Sequence, residues 1–178
     1  MKQLLIIVLL IPVMISCGQT GCDKPNKRVD IITTIDTSKV VILPYDSTDI
    51  WVFKACTQAE LTDEDFETIE VLLKKCIDDY NIEQMKKYEE ICEKYPNDKF
   101  DKFHFVIDLT RYRRQCIAVN NQKGEKEVWI NFFCRGGSIG ERWKTGIIIV
   151  HDGGNCFFNL KMNLTTEEYY DFMVNGEA

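Results

Sequence analysis

The chain has 178 residues, of which 28 are acidic and 22 are Lys or Arg, so its formal net charge is −6. No run of five or six basic residues occurs, and a nucleic-acid-binding patch would need one. The nearest basic cluster, residues 111–114, alternates across a predicted strand. We therefore predict no nucleic-acid partner, and a length that fits one domain with a sizeable core.

The N-terminus predicts export. A positive start is followed by an apolar run over residues 4–15, then Ser16 and Cys17. This run is too short to cross the ~30 Å hydrocarbon core as a stable helix, so it indicates a signal peptide over residues 1–16. Residues 14–17, Met-Ile-Ser-Cys, resemble the lipobox of bacterial lipoproteins. That resemblance implies that Cys17 is lipidated and anchors the protein to a cell-envelope membrane of unknown leaflet. A plain secretory signal is the alternative.

Residues 17–38 are polar and aperiodic, which predicts a flexible tether. Residues 39–178 are then a single domain. It opens with short apolar runs at residues 40–43 and 50–53, which predict one or two strands.

The clearest helix begins at Thr62, whose hydroxyl can cap a first turn that contains three acidic residues. Asn81 interrupts the apolar spacing and Pro96 ends it. We expect two helices with a break near Asn81, or one long kinked helix. The apolar positions of the first half recur every three or four residues: Phe66, Ile69, Leu73, Cys76, Ile77 and Tyr80.

Residues 111–176 read as an antiparallel meander, and residues 147–150 are expected to form a strand within it that is central or covered on both sides. The first hairpin has two possible registers. A two-residue Lys123-Gly124 loop places Ile117 opposite Ile130, whereas a three-residue loop ending in Gly124 places Cys116 there. We favour the first register, because it pairs β-branched residues on one face.

The predicted fold class is α+β, with the N-terminal helix, or two helices, packed on one face of a curved antiparallel meander. This arrangement resembles the cystatin-like architecture. The RYRRQ, GEKEVWINFFC and DGGNCFFNLKMNLTTEEYYDFMVNGEA segments also resemble a family of small bacterial secreted lipoproteins, which supplies no functional residues.

Alternation divides the predicted sheet into a core face and a mixed face, where aromatic rings lie beside amides and a carboxylate. Such a surface suits recognition of a protein, peptide or glycan, because stacking area and hydrogen-bonding groups lie side by side. An outer face covered by other elements is the alternative. The candidate ligand-binding residues are Trp129, Asn131, Phe133, Phe157, Asn159, Tyr169 and Asp171.

The chain has eight cysteines. Cys134 and Cys156 are expected in strands two places apart, which puts their Cα atoms beyond the ~7 Å limit for a disulfide. We therefore predict buried thiols. A bridge that involves Cys56, Cys76 or Cys92 is left open.

Residues 136–140 match the G-x-S-x-G pattern of a nucleophile elbow, with Glu141 and His151 later in the chain. That chemistry needs a helix after the serine, but the following stretch reads as a loop and a strand. The sequence therefore favours a non-enzymatic role without catalytic residues, metal or cofactor. A small serine hydrolase using Ser138, or a structural component of a surface complex, is the alternative.

Overall fold

The computed structural model describes residue 36 and residues 38–134 and 139–176. The predicted signal peptide, Cys17, nearly all of the tether and Ser138 lie outside these residues. Within them, no helix is both long enough and apolar enough to cross a bilayer.

One helix, α1, runs over Asp63–Lys94 without a break. The expectation of two helices is therefore wrong, and the alternative of one long continuous helix is confirmed. Asn81 has a tertiary role instead. Its side-chain amide donates to the carbonyl of Ile107 (2.8 Å), and its side-chain oxygen accepts from the Ile107 N–H (2.7 Å).

The predicted cap at Thr62 is confirmed. Thr62 Oγ1 accepts from the Asp65 N–H (3.3 Å), and the Asp65 carboxylate accepts from the Thr62 N–H (2.7 Å), which forms a capping box. Lys126 Nζ also pairs with Asp65 (2.6 Å). Partial burial opposes ionisation of Asp65, but the hydrogen bonds from Lys126 and Thr62 outweigh it and lower the pKa of the carboxyl.

The described residues form a sheet of six strands, which with α1 confirms the α+β class. They are β1 (Val40–Ile42), β2 (Thr57–Gln58), β3 (Tyr112–Asn120), β4 (Lys126–Cys134), β5 (Phe157–Asn163) and β6 (Glu168–Val174). Their order is β1-β3-β4-β5-β6, and β2 also pairs with β3. β1 is parallel to β3 and the other pairs are antiparallel. Residues 50–53 are predicted as extended, but residues 50–52 form a turn and no strand is present there.

The favoured register of the first hairpin is wrong by one residue, and the three-residue loop is the one formed. Ala118 lies opposite Val128, and Cys116 lies opposite Ile130. Asn121 closes the loop by donating its N–H to the Glu125 carbonyl (2.9 Å). Gly124 takes a positive φ of 79°, which glycine adopts without steric cost and which this loop type requires.

Both faces of the sheet are buried, which is why β-branched residues on β3 do not specify the register. A first core lies between α1 and the sheet. It includes Phe66, Ile69, Leu73, Cys76, Ala118, Val128, Ile130, Phe132, Phe158, Leu160 and Met162. A second core lies on the other face, under the segment before β2, and contains Leu43, Val52, Phe53, Ile117, Val119 and Trp129. We call this other side the second face.

A segment that begins with the short 3-10 helix Arg142–Lys144 and continues without regular structure to residue 150 lies over the second face, so the predicted strand at 147–150 is wrong. The buried Gln115 amide holds this segment. Its Nε2 donates to the carbonyls of Trp143 (2.6 Å) and Gly146 (2.8 Å), and its Oε1 accepts from the Ile148 N–H (2.9 Å). Asn131 Nδ2 donates to the Ile148 carbonyl (2.8 Å). These bonds satisfy backbone groups that a strand would have paired in a ladder.

Without an intervening strand, β4 pairs directly with β5, and this brings Cys134 and Cys156 together. They form a disulfide with a Cα–Cα distance of 4.9 Å. The prediction of two separate thiols is therefore wrong, because it placed these residues two strands apart. The sequence also left open a bridge that involves Cys56, Cys76 or Cys92. The structure shows no such bridge, since all three are free thiols.

A bulge in β6 changes which side chains share a face. Asn159 lies opposite Met173 and Lys161 lies opposite Tyr170, so β6 has one more residue than β5 in this interval. Asp171 lies in the bulge with a φ of 50°. The extra residue turns Tyr169 toward α1, whereas strict alternation had assigned it to the second face.

Candidate functional site

The central part of the expected binding face is covered. Trp129, Asn131 and Phe133 are only 3%, 8% and 1% exposed. Trp143 packs edge-on against Phe133, with ring centroids 5.9 Å apart. Trp129 therefore belongs to the second core, and Asn131 and Phe133 are buried against the segment that contains Trp143 and Ile148, as the alternative interpretation of the sequence allowed.

The other four candidates are distributed over different environments. Phe157 and Asn159 are half-buried on β5. Tyr169 packs with the first core and donates its hydroxyl to Asp79 of α1 (3.2 Å). Asp171 is exposed, and its carboxylate accepts from Lys161 Nζ (3.1 Å). Of the seven, Asn159 is part of the open surface described next, and Asp171 adjoins it through Lys161.

An open strip remains on the second face along β5 and β6. We call it the outer strip, and it consists of Trp51, Asn159, Lys161, Tyr170 and Met173. The Trp51 side chain is 50% exposed and that of Met173 is 59% exposed. Cross-strand pairing places Met173 opposite Asn159 and Tyr170 opposite Lys161. The strip therefore presents aromatic, thioether, amide and ammonium groups together.

Trp51 is fixed from below by buried Trp129. The two rings meet edge-on with centroids 5.3 Å apart and planes 88° apart. Trp129 Nε1 in turn donates to Asn159 Oδ1 (3.2 Å), which orients the amide. An indole that is half exposed and held by an aromatic contact offers stacking area at low entropic cost.

Lys161 lies at the centre of the strip. Its ammonium group pairs with Asp171 and lies 5.4 Å from the Phe53 ring centroid and 6.0 Å from that of Tyr170. The Tyr170 hydroxyl donates to Glu127 (2.7 Å). Burial, followed by this hydrogen bond to a carboxylate, raises the pKa of Tyr170, so the phenol stays neutral near pH 7.

A cavity of about 390 Å³ adjoins the strip, and Phe53, Lys54, Cys56, Glu127 and Lys161 are among the residues that line it. Burial, with a smaller contribution from Glu127, raises the pKa of the Cys56 thiol. This thiol is therefore a weak nucleophile near pH 7, because the thiolate is the reactive form. The strip and cavity present groups that can form stacking, hydrogen-bonding and ionic contacts.

Four residues of the strip, Trp51, Lys161, Tyr170 and Met173, were not among the candidates, although alternation placed Lys161 and Met173 on the mixed face. Trp51 was assigned to a strand, although the adjacent Asp46-Ser-Thr-Asp49 sequence indicates a turn on which a large side chain can remain exposed. Tyr170 was assigned to the core face because the bulge at Asp171 was not anticipated. No signal in the sequence marks that bulge.

The described residues near the G-x-S-x-G pattern do not support the hydrolase geometry. The element after Gly140 is a three-residue 3-10 helix, Arg142–Lys144. Glu141 pairs with Lys144 (2.5 Å) rather than with His151, which is exposed. Ser138 lies outside the described residues.

Across residues 38–134 and 139–176, no three His, Cys, Asp or Glu side chains cluster as a metal site would. Comparison with known proteins found no matching family model, curated protein or solved structure. The resemblances to secreted lipoproteins and to the cystatin-like architecture therefore remain predictions.

Proposed function

We propose that this is a lipid-anchored cell-envelope protein that binds a protein, peptide or glycan through the outer strip. The observation that carries the binding role is the half-exposed Trp51 ring, which is held on Trp129 beside Asn159 and Lys161. The membrane anchor rests on the lipobox-like residues that end at Cys17.

The strip is suited to an extended ligand with alternating apolar and polar groups. Trp51 and Tyr170 offer ring surface, and Asn159 and Lys161 offer hydrogen-bond donors between them. Sugar rings and peptide side chains both present this combination. The exposed thioether of Met173 adds a polarisable contact that adapts to different ligand shapes.

The binding role is tested with Trp51→Ala. Calorimetric titration of the exported domain with envelope glycan fragments and envelope-derived peptides should show saturable binding. The affinity should fall at least about tenfold in the variant, since hot-spot aromatic rings carry much of the binding energy. Tyr95→Ala is the matched control, because Tyr95 is an aromatic residue of similar exposure, at the end of α1. Equal losses in both variants, or unchanged binding in Trp51→Ala, would contradict the proposal.

The anchor is tested separately with Cys17→Ser in the full chain. Cells grown with an alkyne fatty acid should label the unaltered protein and not the variant. Fractionation should place the unaltered protein with membranes and release the variant. Labelling that persists in Cys17→Ser would refute lipidation at this residue. It would not affect the binding role, which the Trp51→Ala titration tests independently.

A further inference from the structure

A second cavity lies at the end of the sheet where β3 begins and β4 ends. It has a volume of about 550 Å³, and its lining includes Tyr112 and the Cys134–Cys156 disulfide. We call it the end cleft. This volume lies within the range of small-molecule sites, which is roughly 300–1,000 Å³.

Charged side chains of both signs line the end cleft, namely Asp101, Asp152 and Arg111, together with the imidazole of His104. None of these forms an ion pair with another described residue, although seven ion pairs occur elsewhere in the described chain. Opposite charges that share a cavity without pairing remain available to a ligand that has both charges.

The guanidinium of Arg111 is held in place by stacking. Its Cζ lies 4.3 Å from the centroid of the Phe103 ring. A guanidinium stacked on an aromatic face keeps its planar edge of N–H donors free, and that edge matches the two oxygens of a carboxylate. Arg111 is therefore oriented so that it can receive a carboxylate in the cleft.

The two carboxylates of the cleft, Asp101 and Asp152, are also held in place by the local backbone. Asp101 Oδ1 accepts from the Phe103 N–H (2.9 Å), which fixes the carboxylate at the start of the short Lys102–His104 helix. Asp152 immediately precedes Gly153, whose φ of 87° turns the chain at the rim. Two carboxylates on the cleft lining provide acceptors for an ammonium group.

The cleft walls are tied together by buried hydrogen bonds. The amide of Asn155 donates to the carbonyls of Phe103 (2.7 Å) and Val106 (3.0 Å), and the Tyr112 hydroxyl donates to the Asn155 carbonyl (2.7 Å). With the disulfide, these bonds join the segment around Phe103 to the start of β5. Such preorganisation lowers the cost of binding a small ligand.

From this geometry we infer that the end cleft binds a small zwitterion, a molecule with one carboxylate and one ammonium group, such as a free amino acid or a short peptide. Arg111 binds the carboxylate, while Asp101 and Asp152 bind the ammonium group. An adjoining cavity of about 570 Å³ shares Asp101 and His104, which gives a longer zwitterion such as a dipeptide room to extend. This site is separate from the outer strip.

The test is calorimetric titration of the exported domain with free amino acids, dipeptides, N-acetyl amino acids and amino acid amides. At least one zwitterion should bind saturably, and blocking either its amine or its carboxylate should weaken binding at least about tenfold. A stronger response to dipeptides than to amino acids would assign the site to peptide ends, and the reverse would assign it to free amino acids.

Arg111→Gln and Asp152→Asn should each weaken zwitterion binding about tenfold or more. Lys123→Gln and Asp78→Asn are the charge-matched controls, located at the first hairpin and on the exposed side of α1. Unaltered thermal unfolding would confirm that each variant is folded. Trp51→Ala should leave this binding intact. No saturable binding by any zwitterion, equal binding of the blocked compounds, or unaltered affinity in both cleft variants would overturn the inference.

Discussion

Reduction of the Cys134–Cys156 disulfide should destabilise the domain by about 3 kcal/mol. The two cysteines are 22 positions apart in the sequence. In the chain-entropy account, a crosslink that closes a loop of this size removes about 11 cal/mol/K of entropy from the unfolded state, which is about 3 kcal/mol at 25 °C. For a domain of this size the melting temperature should fall by roughly 10 °C.

Chemical unfolding of the exported domain with and without dithiothreitol measures this effect. The double variant Cys134→Ala/Cys156→Ala is the control, since dithiothreitol should not change its stability. The four thiols Cys56, Cys76, Cys92 and Cys116 are free in both proteins. A change below about 0.5 kcal/mol on reduction would refute the loop-closure reasoning. Alkylation of both Cys134 and Cys156 in unreduced protein would refute the bridge itself.

Three further predictions concern stability. Gln115→Met should cost about 2–4 kcal/mol, because it leaves buried backbone groups unpaired, and hydrogen exchange at the Ile148 amide should accelerate more than exchange within α1. Asp65→Asn should cost about 1–2 kcal/mol at pH 7. Because the folded-state pKa of Asp65 is lowered, this deficit should shrink as the pH falls below about 4, and a constant deficit in acid unfolding would count against the Lys126 pair. Leu73→Ala should cost about 2–5 kcal/mol by denaturant titration, and a cost under 1 kcal/mol would contradict its place in the first core.

The helix and the alternation of β4 and β5 could be predicted from the sequence because each has one strong local signal. Thr62 precedes three acidic residues, and the apolar residues after it follow a helical period. Phe158, Leu160 and Met162 alternate with polar residues on β5, and all three are buried. Such patterns depend on nearest neighbours and are visible in one sequence.

The remaining features depend on what covers the sheet, which local patterns do not encode. Ile117 suits either face of β3, because both are apolar in the fold. Residues 147–150 have strand-like composition, but Gln115 and Asn131 satisfy the segment's backbone and a ladder is not needed. That one error separated Cys134 from Cys156 and concealed both the disulfide and the end cleft. Because the bulge at Asp171 was not predicted, Tyr169 was assigned to the binding face. Tyr170 lies on that face instead.

The binding role of the outer strip is tested most directly by indole oxidation with peptide mass mapping. The chain has three tryptophans, and Trp51 is 50% exposed whereas Trp129 and Trp143 are 3% and 1% exposed. Low doses of N-bromosuccinimide should therefore oxidise Trp51 first in the isolated protein, and a bound envelope glycan or peptide should protect it. If Trp129 were oxidised as fast as Trp51, the second face would be open. If none of these ligands slowed the oxidation of Trp51, the proposed binding surface would be contradicted.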